Sequence, residues 1–144
     1  MSEEDNVKIA RSVFDGYNAR DKDKWAQLQS DDFQQVYAPC TPGPTNKDAA
    51  WAYVQGFMTA FPDLHFDVMH TVAQDESVVL MWTGTGTHTG PLTTPTGNKI
   101  PPTGKKATVP GSSAFEIKNG KITRAWVYWD MVTLLGQLGL MPPM

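Results

Sequence analysis

One cysteine, Cys40, is all the thiol chemistry this chain has, so no internal disulfide can brace it. That is compatible with the cytoplasm. Cys40 lies in APCTPGP, a turn-rich loop, and reads as a spectator thiol. No apolar run approaches the roughly 20 residues that a membrane span needs, which argues against a membrane partner. The N-terminal stretch MSEEDNVKIA is acidic and has no apolar signal core, which again points to a cytoplasmic protein. There is no basic run. The Lys and Arg residues are scattered and the net charge is −3, which argues against nucleic acid. The three histidines show neither His-x-His nor His-x-x-x-His spacing, so no metal site is expected. No glycine-rich loop opens a helix, so no nucleotide site is expected either.

What is present suits one globular domain over residues 1–144. Hydrophobic residues make up 40% and charged residues 19%, and 144 residues can bury a full core. Val7, Ala10, Val13, Phe14 and Tyr17 recur at helical spacing and predict a helix from Glu3 to about Arg20, with Ser2 and Asp5 as a capping pair. A short helix over Lys22–Gln29 carries Trp25 and Leu28. Phe33–Tyr37 reads as a short strand. Asn46 caps a third helix, Lys47–Ala60, which Pro62 stops.

The period then changes from 3.6 to 2. Leu64, Phe66 and Val68 alternate with His65, Asp67 and Met69. On this reading His65 and Asp67 share one face and His70 falls on the other. Gln74–Ser77 turns the chain into Val78–His88. The Pro- and Gly-rich stretch from Thr89 to Gly104 is long for a connection and reads as a lid or binding loop. A strand over Thr108–Ile117 meets the hairpin signal Asn119-Gly120, then Ile122–Trp129. Asp130 caps a last helix, Met131–Leu138, with Gly139 as its stop. Helices first and long strands later mean α+β, with helices on one face of a curved antiparallel sheet. In the last strand Trp126 and Tyr128 point one way, and Ala125, Val127 and Trp129 the other. Both faces are apolar, which predicts a homodimer that covers the second one.

Two polar residues stand at the ends of apolar strands. His88 ends TGTGTHTG (Thr83–Gly90), where alternating glycines leave room around an imidazole that titrates near neutral pH. Asp130 ends the last strand among Trp126, Tyr128 and Trp129. Apolar surroundings would raise its pKa and make it a useful base. The pair reads as candidate base (Asp130) and acid or oxyanion donor (His88). Trp51, Phe57, Met58, Met69, Met81 and Trp82, with Trp126 and Trp129, are candidate lining for a flat apolar ligand.

Taken in order, FPDLHF (Phe61–Phe66), WTGTGTHTG (Trp82–Gly90), IPPTGKK (Ile100–Lys106), NGKITRAWVYWD (Asn119–Asp130) and LLGQLGL (Leu134–Leu140) resemble the SnoaL-like polyketide cyclases, or ester cyclases, of the nuclear-transport-factor-2-like superfamily. The resemblance implies a cone-shaped α+β barrel, with three N-terminal helices packed on a curved antiparallel sheet around a deep apolar pocket, often dimeric. It also implies cofactor-free acid–base chemistry on a hydrophobic carbonyl compound, such as aldol closure of a polyketide ester. Tyr37 falls where relatives carry a polar pocket residue. The same fold hosts isomerases, epoxide hydrolases and non-catalytic binding modules, so those readings stay open. The chain departs from its relatives in one strand. Where they read roughly Glu-His-Trp-Asp, it has Arg124, Ala125, Trp126 and Val127, which leaves Asp130 as the nearest carboxylate.

Overall fold

Helix α1 (Glu3–Asn18) begins at a complete capping box. The Ser2 hydroxyl accepts the Asp5 amide at 3.1 Å, and the Asp5 carboxylate accepts the Ser2 amide at 3.3 Å. The helix buries Ala10, Val13, Phe14 and Tyr17. Gly16 lets α2 (Lys22–Gln27) come close, since a Cβ there would sit 3.0 Å from that of Trp25. Strand β1 (Gln29–Tyr37) follows, then α3 (Lys47–Ala60), capped by the Asn46 side chain on the Ala49 amide at 3.0 Å. The chain continues as β2 (His65–Gln74), β3 (Ser77–Thr87), β4 (Leu92–Thr93), β5 (Lys99–Ile100), β6 (Lys106–Lys118), β7 (Lys121–Trp129) and α4 (Met131–Gln137). This computed structural model describes residues 2–94 and 97–141.

The main sheet runs β1-β7-β6-β3-β2, curved and unclosed. Its long ladders are antiparallel, but β1 joins β7 in parallel, against the expectation of a uniformly antiparallel sheet. The reason is topological. A hairpin joins antiparallel neighbours, whereas most of the chain intervenes between β1 and β7, as a parallel pair requires. The β6–β7 hairpin turns at Asn119 (φ 51°) and Gly120 (φ 78°), both left-handed, as a tight primed turn needs.

One face of the sheet is buried beneath α1 and α3. Along β3, Val78, Leu80, Trp82, Gly84 and Gly86 point inward in strict alternation and His88 continues the series, while Val79 and Met81 point out. A bulge between Val68 and His70 breaks this rhythm in β2, so Met69 and His70 are both exposed. His70 therefore does not lie opposite the exposed His65–Asp67 pair, as simple alternation required. Two buried clusters result. The larger joins α1, α2, α3 and the sheet around Phe14, Trp25, Trp51 and Leu80. The smaller gathers Ala60, Phe61, Leu92, Ala107, Val109, Leu134 and Leu138 under α4. Among the described residues no helix is long and apolar enough to cross a membrane.

Candidate functional site

Leu64 and Trp129 pack against both clusters, and a cavity of about 90 Å³ opens where the clusters meet. Phe14 and Tyr17 of α1, and Tyr53, Val54 and Phe57 of α3, form one wall, with Phe61 and Leu64 just beyond α3. The inner face of the sheet forms the other, with Gln35, Phe66, Trp82, Gly84, Gly86, Ala107, Val109, Ser113, Val127 and Trp129, and Leu134 of α4 closes one end. Glycine is required in this wall at Gly86 and beside it at Gly111. A Cβ on Gly86 would meet that of Phe61 at 2.9 Å, and one on Gly111 would strike the Trp82 ring at 2.3 Å. The alternating glycines before His88 thus make room for aromatic rings, not for the imidazole.

Among the described residues the wall has no Asp, Glu, His, Lys or Arg. Its polar groups are neutral. Tyr53 donates to the Pro39 carbonyl at 3.0 Å and accepts the Trp129 indole N–H at 2.9 Å. Burial outweighs that indole hydrogen bond and pushes the Tyr53 pKa far up. Burial likewise raises Tyr17 to about 12. Ser113 accepts the Trp82 indole N–H at 3.0 Å. Gln35 is only 4% exposed, and its Nε2 has no hydrogen-bond partner.

The residues expected from sequence divide sharply. Phe57, Trp82 and Trp129 line the cavity. Trp51 and Met58 are buried in the larger cluster and floor a separate surface cleft beside Arg20 and Lys22. Tyr37 is 43% exposed and stacks on Tyr128 at 5.1 Å, because a register shift after Gln35 turns it away from the inner face. Met69 is 66% exposed, because it shares the outer face of β2 with His65 and Asp67. In β7 the inner face belongs to Ala125, Val127 and Trp129, which leaves Trp126 out of the cavity wall. The residues missed were Gln35, Tyr53 and Ser113. Tyr53 stands one helical turn before Phe57, and Gln35 two residues after buried Phe33. Both spacings were visible signals.

The expected pair of Asp130 and His88 is not assembled in the cavity. Asp130 is exposed and caps α4. Its carboxylate accepts the Thr133 amide at 3.1 Å and the Thr133 hydroxyl at 2.7 Å. These bonds, the hydroxyl's first, hold its pKa below the usual carboxylate range, the reverse of a raised general base. His88 is fully buried, with its ring 5.2 Å from that of Phe61. Its Nδ1 accepts the Thr103 amide at 3.2 Å and lies 3.0 Å from the Thr103 hydroxyl. A neutral ring bonded in this way carries its proton on Nε2, which is buried without a partner. Burial, the larger influence, lowers the His88 pKa, and the Gly90 backbone opposes it.

His88 therefore fastens the start of the 89–104 segment to its end. Its amide donates to the Lys105 carbonyl at 2.9 Å, and its carbonyl accepts the Gly104 amide at 2.8 Å. That segment carries the β4–β5 hairpin and buries Leu92. None of its described residues lines the cavity, but Leu92 and Ile100 pack in one cluster with the lining residues Phe61, Ala107, Val109 and Leu134, so the segment lies directly behind that part of the wall. No cluster of three potential metal ligands occurs among the described residues.

A family model for the SnoaL-like polyketide cyclases matches residues 7–138. No curated protein matches the sequence. Solved structures do match in fold. AclR of Streptomyces galilaeus, described as a candidate hydroxylase, is 24% identical with a TM-score of 0.85, over 99% of this chain and 86% of its own. A candidate SnoaL-like polyketide cyclase from a Jannaschia species is 23% identical with a TM-score of 0.82, over 98% and 95%. TerC, crystallised with polyporic acid, is 15% identical with a TM-score of 0.72, over 94% and 98%.

Proposed function

The chain belongs to the SnoaL-like polyketide cyclase family, and from that premise we propose that its cavity takes up an uncharged, hydrophobic carbonyl compound and promotes its ring closure by confinement. The observation that carries this reading is the cavity wall itself, aromatic and aliphatic, with only neutral polar groups among the described residues. Such a wall favours an apolar ligand and penalises a charged one, and at about 90 Å³ the cavity has to widen by movement of its aromatic side chains to admit a bicyclic ligand. An intramolecular aldol closure needs an enolisable carbon held about 3–3.5 Å from a carbonyl carbon. The α-carbon loses a proton, a C–C bond forms, and the carbonyl oxygen gains a proton, so no oxidant or reductant is consumed. Holding the two ends together is the contribution a neutral cavity can make.

A second reading, a binding module without turnover, is favoured by the absence of any carboxylate or imidazole from the described cavity wall. One experiment separates the two. The protein is incubated with a hydrophobic diketo ester able to close on itself, and ring formation is followed by mass spectrometry beside equilibrium binding of the same compound. Binding with closure faster than in buffer supports the cyclase reading. Binding without faster closure supports the module. Absence of binding would remove both. Val127→Phe, which fills the cavity from β7, should abolish binding and closure together.

A further inference from the structure

We propose that Gln35 is the group that recognises the ligand's carbonyl, donating from its side-chain Nε2 to an uncharged carbonyl oxygen, so that the cavity selects ketones, esters and quinones over hydrocarbons and carboxylates of the same shape. This rests on the reading that the cavity binds a hydrophobic small molecule.

The main chain of Gln35 is fully employed. Its amide donates to the Thr45 carbonyl at 2.8 Å, and its carbonyl accepts the Thr45 amide at 3.0 Å. In the sheet it stands opposite Ala125 of β7. These contacts fix the backbone from both sides, so the side chain has a defined origin in the cavity wall. An amide buried to 4% exposure ordinarily finds partners for its N–H groups, yet Nε2 has none. The other buried orphans divide by place. Trp25 Nε1, Gln29 Oε1, Thr45 Oγ1 and His88 Nε2 belong to residues outside the cavity wall, and among the described residues only Gln35 lines it. Nε2 is closed to water, so the amide end turns toward the cavity as the ligand enters; a carbonyl oxygen then relieves an unpaired donor, the condition under which a polar contact discriminates strongly.

The same wall explains the exclusion of acids. Among the described residues it has no cation, so a carboxylate would enter unpaired and lose its hydration. Ser113 adds a second neutral donor. Its oxygen is committed to the Trp82 indole N–H, and its own proton has no acceptor among the described residues.

The test uses three matched probes, acetylnaphthalene, ethylnaphthalene and naphthoate, with affinities read by equilibrium dialysis on the wild-type protein, Gln35→Leu and Gln35→Met. In the wild type the ketone should bind about tenfold more tightly than the hydrocarbon, the worth of one well-made hydrogen bond, and naphthoate more weakly than either. In Gln35→Leu the ketone should fall to the level of the hydrocarbon, whose own affinity holds or improves. Gln35→Met repeats the comparison with a flexible side chain should the leucine variant fold poorly, which unfolding curves will show. Equal binding of ketone and hydrocarbon by the wild type would overturn the proposal and leave the cavity reading standing. So would an equal loss of both probes in the variants. Failure of all three probes to bind would overturn the cavity reading, and this proposal with it.

Discussion

At the scale of single residues, a polar group at the end of an apolar strand has two possible employers, the cavity and the backbone. Asp130 and His88 both serve the backbone. Asp130→Asn should therefore leave thermal unfolding and ligand uptake unchanged, since Asn caps a helix as well as Asp, whereas Asp130→Ala should lower the unfolding temperature. A loss of ligand uptake in Asp130→Asn with folding intact would return Asp130 to the cavity. His88 makes a pH-dependent prediction. Its pKa is depressed in the folded protein, so the folded state binds fewer protons than the unfolded one just below pH 6.5. Its contribution is complete above about pH 6.5 and is lost as pH falls through the depressed value. Protonation also turns Nδ1 from acceptor to donor and breaks the bond from the Thr103 amide. Denaturant unfolding at pH 7.5 and pH 5 should show this loss in the wild type and a smaller one in His88→Asn, whose side-chain oxygen can still accept that amide. An identical pH dependence in both proteins would contradict the assignment. Sequence located both residues at strand ends correctly. It did not show which way the side chains are spent, because a cap and a base ask for the same carboxylate.

At the scale of elements, the local signals were legible and the register was not. The Ser2–Asp5 box, the Asn46 and Asp130 caps and the Asn119-Gly120 turn all lie where the sequence puts them, because each depends on contacts within a few residues. Two of the sheet's irregularities, after Gln35 and after Val68, depend on partner strands far along the chain. Each reverses which face the next residue occupies, and Tyr37 and His70 were misplaced for that reason, whereas Met69 is exposed as simple alternation with His65 and Asp67 requires. The glycines test how tightly elements meet. Gly111→Ala should displace the Trp82 ring, break its bond to Ser113, cost about 1–3 kcal/mol and impair ligand uptake. Gly56→Ala on the exposed side of α3, where nothing lies within 4 Å, should instead stabilise by about 0.5–1 kcal/mol. Denaturant midpoints of the two variants give the comparison. Equal effects would show that the β3–β6 contact is looser than its geometry implies.

At the scale of the whole molecule, the sheet has a second apolar side. Tyr37, Met69, Val72, Val79, Met81 and Tyr128 are exposed on its strands, and helices cover only the other face. We propose that two copies pair through this face, as the doubly apolar last strand suggested from sequence. Light scattering should give twice the 15.9 kDa of one chain, and Met81→Lys with Tyr128→Lys should reduce it to one. A clean monomer in the wild type would contradict the pairing. The cavity lies on the opposite side of the sheet, so ligand uptake should survive that change. The central claim is that this inner cavity, and no other surface, is the ligand site. A crystal structure of the protein grown with acetylnaphthalene tests it most directly. The naphthalene ring should lie between Phe57, Trp82 and Trp129, with its carbonyl oxygen within hydrogen-bond distance of Gln35. An empty cavity at saturating ligand, or a ring bound instead on the outer sheet face or in the cleft beside Arg20 and Lys22, would contradict it.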